Sequence, residues 1–308
     1  MSEHSIKDIP QITYEPAKKK DYLEFFLLKV FSILWNIIPE KLAMFFSSKL
    51  SSCVKIFFTK RNDLALEKIS KNLAVNNDSA QRILSEAYIN FACNWVAMVR
   101  SQKITVQIVK EHMNLIGFKQ FEELKKQGRG AIVANMHLGW WEISPRIFHL
   151  LEIPLAVMVA VQHNPLSDKF INHYRSQGGY HSILHNRLSV RHTLRFLKSG
   201  GFLVIVADID AGKNGIVVPF LGEKSSTSNW PAQLALKTDS PIIVGINYCD
   251  ENKKRTFEMQ EAIDPRDFTS SSDSIHDITL AMNNNMSSVI ERFPGQWFWL
   301  QRRWKSKL

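Results

Sequence analysis

Two hydrophobic rhythms divide the chain. Up to about residue 100 apolar residues recur at helical spacing, and beyond about residue 112 short apolar runs of strand length alternate with helical segments. The first rhythm predicts helices over 22–38, 41–59, 61–74 and 78–99, with Asp78 or Ser79 available to cap the last of them. The second predicts strands at 131–135, 154–161, 202–208, 215–220 and 241–247. Helices are predicted between and after them at about 141–150, 165–177, 189–199, 230–238 and 273–292. Strands buried on both faces and alternating with helices imply an α/β fold, a largely parallel central sheet flanked by helices. No internal repeat is present, and the serine-rich stretch 269–274 is expected to be a surface loop.

The stretch from Tyr22 to Leu50 is apolar and aromatic, but Glu24, Lys29 and the Pro39-Glu40-Lys41 break interrupt it. Its longest uncharged run, Val30 to Ile38, falls well short of the ~20 apolar residues that a spanning helix needs. Two amphipathic helices lying in a bilayer face suit the pattern best; a tilted span and an ordinary pair of core helices are the alternatives. Residues 1–20 are polar and aperiodic, without the apolar core and cleavage site of a signal peptide. The expected organisation is an arm over 1–20, membrane-associating helices over 21–60 and a catalytic domain over 61–308.

Charge sharpens the membrane reading. The formal net charge is +10, which attracts anionic partners of several kinds. Its placement favours a membrane surface over nucleic acid: Lys18–Lys20 precede the apolar stretch, Lys55, Lys60 and Arg61 follow its core, and Arg302, Arg303 and Lys305 close the chain. Some of the eight tryptophans, Trp297, Trp299 and Trp304 among them, suit a membrane interface beside these residues, or equally a core. The three cysteines are widely spaced and form no C-x-x-C, so neither a disulfide framework nor a thiolate metal site is expected.

Candidate chemistry concentrates in GAIVANMHLGWWE, residues 130–142. His137 falls just past the end of a buried strand, where α/β sheets bind ligands. Gly139 permits a tight turn after it. A carboxylate five positions on, Glu142, is expected to lie against one ring nitrogen while the other takes a proton from an attacking hydroxyl. No serine or cysteine stands in a nucleophile elbow, so direct attack by the acceptor is simpler than an acyl-enzyme. Asp208 ends another buried strand, a place for a ligand or a positioning group.

HLGWWE resembles the H-x-x-x-x-[DE] box of the bacterial lipid A late acyltransferases, within the wider lysophospholipid acyltransferase superfamily. Four further segments agree in order. RNDLALEKISKNLA resembles the family's R-x-x-x-x-x-N-L helix, and Arg187 is followed by a helix ending in LKSGG. ADIDAGKNGIVVPFLGEKSSTSNWPAQLALKTDSPII and PGQWFWLQRRWK match two later motifs. The resemblance implies an acyltransferase on the cytoplasmic face of the inner membrane, held there by its N-terminal helices. It implies an acyl carrier protein or acyl-CoA as donor and a hydroxyl of a membrane glycolipid as acceptor, a lipid A precursor before a lysophospholipid. No metal or other cofactor is implied. Carried over, His137 is the base and Glu142 its partner, while Arg187, Asp208 and Arg175 bind substrate. The family's asparagine before Trp141 is here Trp140, and its D-Q or D-H is Asp208-Ile209-Asp210.

Other constellations carry less. Asp208-x-Asp210 also matches the D-x-D of metal-dependent glycosyltransferases, the rival activity. His181-x-x-x-His185 with His192 lacks a third ligand at fixed spacing, and both a phosphate loop and a dinucleotide fingerprint are missing.

Overall fold

The computed structural model describes residues 15–306 apart from 178, 180, 185–188, 251–253 and 271. Four helices come first: α1 (Lys19–Ile37), α2 (Glu40–Lys55), α3 (Thr59–Leu73) and α4 (Asn77–Val99). Short α5 (Val106–His112) and α6 (Lys119–Lys126) bracket β1 (Met113–Ile116), and β2 (Ala131–Asn135) follows. A 3₁₀ turn, Trp141–Ile143, then leads into α7 (Ser144–Leu150), β3 (Leu155–Val159), α8 (Pro165–Gln177), β4 (His181–Leu184), α9 (Ser189–Lys198) and β5 (Phe202–Val206). After a hairpin of β6 (Ile216–Phe220) and β7 (Glu223–Thr227) come α10 (Trp230–Thr238), β8 (Ile242–Cys249), β9 (Arg255–Met259) and α11 (Ser274–Arg292). A C-terminal segment, 293–306, closes the described chain.

Seven strands form one sheet in the order β1-β9-β8-β2-β5-β3-β4. All neighbouring pairs are parallel except β8 with β9, so the fold is α/β with a mostly parallel sheet, as the alternation predicts. Every residue of β2 is buried, including Asn135, which fits a central strand covered on both faces by helices. Apolar side chains of β2, β5 and β8 pack with α4, α10 and α11 on one face; those of β2, β3 and β5 pack with Phe121, Leu124 and Phe148 on the other.

The pattern misassigned some details. The run 215–220 is strand-like, yet it pairs with β7 in a separate antiparallel hairpin and stays outside the sheet. Helix α4 is capped by Asn76, whose side chain accepts from the Ser79 amide, and not by Asp78 or Ser79. The four-residue β1 and β4 are too short for periodicity to show.

The first two helices are inside out. Helix α1 buries Asp21 and Ser32 and exposes Tyr22, Leu23, Phe26 and Leu27; α2 buries Ala43, Ser47 and Ser51 and exposes Phe45, Phe46 and Leu50. Phe25 packs against Phe170 of α8 and Trp35 against Met98, Val99 and Ile171, but other inward contacts are polar. Ser32 Oγ meets the Tyr174 hydroxyl at 2.5 Å, Trp35 donates its indole N–H to Ser47, and Arg100 donates to the carbonyls of Trp35 and Ile38. The two acidic residues of α1 have partners. Asp21 caps the Lys18 amide, and Glu24 accepts from Ser167 on α8. Among the described residues no single helix is long and apolar enough to cross a membrane, whereas α2 and α3 would pass on length and composition only as a pair bent by 99°.

Candidate active site

β2 and β5 are parallel neighbours whose register sets Asn135 opposite Val206. Two residues further on, the chain ends of both strands bring His137 and Asp208 together. His137 Nδ1 lies 2.8 Å from Asp208 Oδ1, and the His137 amide donates to Asp208 Oδ2 at 2.8 Å. The C-terminal segment supplies two more donors to Oδ2, Trp297 Nε1 at 2.8 Å and Gln301 Nε2 at 2.9 Å. It reaches the site by running antiparallel along the His137 loop: Leu138 bridges Trp297, Gly139 donates to Gln296, and Phe298 donates to the His137 carbonyl. Gly139 has φ +60°, and a Cβ there would also run into the carbonyl oxygen of Asn247, so the turn requires glycine on both counts.

These bonds decide the ionisation states. Asp208 is fully buried, and burial alone would push its carboxyl up, but His137 and the donors from Gln301 and Trp297 hold it well below the usual carboxylate range. An ionised carboxylate only accepts, so Nδ1 carries the proton and Nε2 carries the lone pair. Burial works to lower the His137 pKa; the charge and hydrogen bond of Asp208 outweigh it, Glu142 adds through space, and the net shift is upward from 6.5. The site therefore holds an imidazole that is oriented, and made more basic, by a buried anion.

That arrangement corrects one expectation. The carboxylate on the ring nitrogen belongs to Asp208 and not to Glu142. Glu142 sits in the 3₁₀ turn, where its amide donates to Asn94 and its carboxylate takes two-pronged contacts from Arg175 of α8, the shortest 2.8 Å. A strand-end neighbour reaches Nδ1; a side chain a turn later is aimed at the next helix. Arg175 and Glu142 still stand together beside His137 in the wall of one cavity, of about 470 Å³. Apolar β3 and β5 residues such as Val157 and Val204 line the rest. Arg187 lies outside the described residues, as does His185.

Two residues at the site had no role assigned from sequence. Gln301 and the Trp297 indole N–H became visible only when the closing segment folded back onto β5. Trp297 and Trp299 are buried, which settles the choice between interface and core for that pair. Arg303, expected among surface charges, is fully buried, donating to the Ser226 carbonyl and Thr227 hydroxyl and covering the Phe220 ring. Asp210 spends its oxygens on Ser306 and the Gly212 amide, and those of Asp208 are filled by N–H donors. Two acids so occupied do not form the open carboxylate pair of a metal-dependent glycosyltransferase.

The chain is 21% identical to the lipid A biosynthesis palmitoleoyltransferase of Escherichia coli (strain K12), over 89% of this chain and 88% of that protein. The same figures hold for a lipid A biosynthesis acyltransferase of Shigella flexneri. Residues 15–306 match the family described as bacterial lipid A biosynthesis acyltransferase. The chain belongs to that family, and it is an acyltransferase.

Proposed function

We propose that the protein moves a fatty acyl chain from a thioester of acyl carrier protein or CoA to a hydroxyl of a lipid A precursor, working at the cytoplasmic face of the inner membrane. The observation that carries the reading is the His137–Asp208 pair at the strand ends, with His137 in the wall of a largely apolar cavity and Asp208 buried behind it. His137 Nε2 takes the proton of the acceptor hydroxyl as its oxygen attacks the thioester carbonyl; the C–S bond then breaks and the leaving thiolate takes the proton back. Asp208 stabilises the imidazolium formed between these steps and does not itself become protonated. Arg175, held by Glu142, and Arg187 are the cations we assign to the thioester oxyanion or a substrate phosphate. The apolar part of the cavity suits the donor's acyl chain.

Attachment to the membrane follows from α1 and α2, whose outward apolar faces would lie in the bilayer surface with Lys18–Lys20 beside them. In the same reading residues 1–20 are an arm, 21–60 the attachment helices and 61–308 the catalytic domain.

The test is transfer from a labelled acyl thioester, with the carrier protein and CoA as alternative donors, and mass spectrometry of the lipid product. Wild-type protein should add one acyl chain to the precursor. His137→Ala should lower turnover by about 10²–10⁴-fold while remaining folded by thermal unfolding. A folded His137→Ala protein that transfers near the normal rate overturns the mechanism.

A further inference from the structure

A second cavity, of about 440 Å³, opens between α1, α2, α4 and the C-terminal segment. Its walls are apolar, with Leu28 and Phe31 from α1, Val54 from α2 and Trp95 from α4. Phe91 and Phe298 also line it, stacked with their ring centres 4.2 Å apart. This stack lies next to the chemistry: the Phe298 ring centre is 6.5 Å from that of His137, and Phe91 is 6.0 Å from Trp141.

At Arg61 and Leu300 the cavity meets a groove of about 320 Å³ with different chemistry. That groove carries Arg302, Lys305 and Trp304, and also Gln301, the donor to Asp208. Arg61 and Arg302 are exposed, and among the described residues neither is paired with a carboxylate, whereas Lys68 in the same groove is held by Glu223 at 2.6 Å. Arg61 belongs to the first turn of α3 and Arg302 to the closing segment, and the catalytic centre uses neither arginine. Together cavity and groove form one trench, apolar at one end and cationic at the other; Phe298 of the apolar part lies beside His137, and Gln301 of the cationic part donates to Asp208.

We propose that this trench seats the acceptor as a phosphate-bearing amphiphile, with an alkyl chain between α1, α2 and α4 and the phosphate against Arg61 and Arg302. The proposal rests on the acyltransferase reading and adds the side from which the acceptor approaches His137, leaving the first cavity to the donor. An arginine fork fits a phosphate in two-point geometry, and two unpaired forks at one mouth favour an anion over a neutral sugar. The apolar end is built from the helices whose outer faces are apolar, so a lipid chain enters it without crossing water.

Decyl phosphate, decyl glucoside and inorganic phosphate serve as probes with the full chain, followed by fluorescence of the tryptophans that line the trench. Decyl phosphate should bind at least tenfold more tightly than decyl glucoside. Arg61→Gln should erase that preference, and Ala92→Phe, which fills the apolar end, should weaken both alkyl probes about tenfold. Inorganic phosphate alone should bind far more weakly than decyl phosphate. In the transfer assay decyl phosphate should compete with the acceptor lipid and not with the thioester donor. Equal binding of the two alkyl probes, a preference that survives Arg61→Gln, or competition with the donor would each overturn the proposal. The binding measurements need no turnover, so failure of the acyl-transfer reading would show separately, as a trench that binds decyl phosphate in a protein that transfers nothing.

Discussion

The first two helices and the strand-end site place polar groups inside for different reasons. In α1 and α2 the buried residues are small and polar, while aromatic and aliphatic residues face outward; Ile56 and Phe57, just past α2, are 72% and 82% exposed. Around β2, β5 and β8 the order is the ordinary one, with apolar residues inside, interrupted by the His137–Asp208 pair and by buried polar side chains such as Asn135, Asn247 and Arg303. On the proposed attachment to a membrane, the contrast reflects two solvents. An apolar outer face supported by inward serines suits packing under lipid, where small and polar residues do the joining. A buried carboxylate with four donors suits a dry centre where charge is kept for chemistry, since an unpaired ion there would cost several kcal/mol.

The sharpest way to break this contrast is at the charge. Asp208→Asn keeps the shape but lets Nδ1 lose its anion and its fixed tautomer, so turnover should fall by about 10³–10⁴-fold. Without the carboxylate, burial governs the ring, and the residual activity should persist to lower pH than in wild type. The sign follows from the base: His137 acts only when neutral, so its raised pKa sets the wild-type acid limb above 6.5, and removing Asp208 lowers that limb. An acid limb unmoved in Asp208→Asn would mean that another group titrates there.

At the other region the double substitution Ile56→Ser with Phe57→Ser should weaken partition into anionic vesicles by about 10²–10⁴-fold, from roughly 1.5–3 kcal/mol for each side chain that lipid buries. Thermal stability in dilute buffer should not fall, because neither residue is covered by protein. Vesicle binding unchanged by the pair would show that these faces meet something other than lipid.

The smallest effect is expected at the edge of the polar centre. Gln301→Leu removes one donor from Asp208 Oδ2 and with it a hydrogen-bonding contribution that raises the His137 pKa, so the acid limb of kcat/KM should move down in pH. Stability should drop by about 1.5–3 kcal/mol, the range for a hydrogen bond to a charged group. A loss of stability with an unmoved pH profile would reduce Gln301 to a packing role.

Much of this protein is determined locally. Periodicity located α1–α4, the long strands and the later helices because a helix or strand face that must be buried writes its repeat into neighbouring residues. His137 was legible for the same reason: it stands just beyond a continuous apolar run, and Gly139 marks the turn after it. Asp208 was recognised as a strand-end acid, but its partnership with His137 was not, because β2 and β5 lie about seventy residues apart and nothing local states that they are neighbours or in what register. Glu142, close in sequence, was the natural partner until the 3₁₀ turn aimed it at Arg175. Trp297 and Gln301 reach Asp208 across about ninety residues, and Arg61 meets the closing segment across more than two hundred. The chain order alone thus determined which residues can carry proton transfer and charge. Tertiary structure decided which of them face one another, since hydrogen bonds and ion pairs depend on separation in space, and sequence distance constrains that separation only within an element or its adjoining turn.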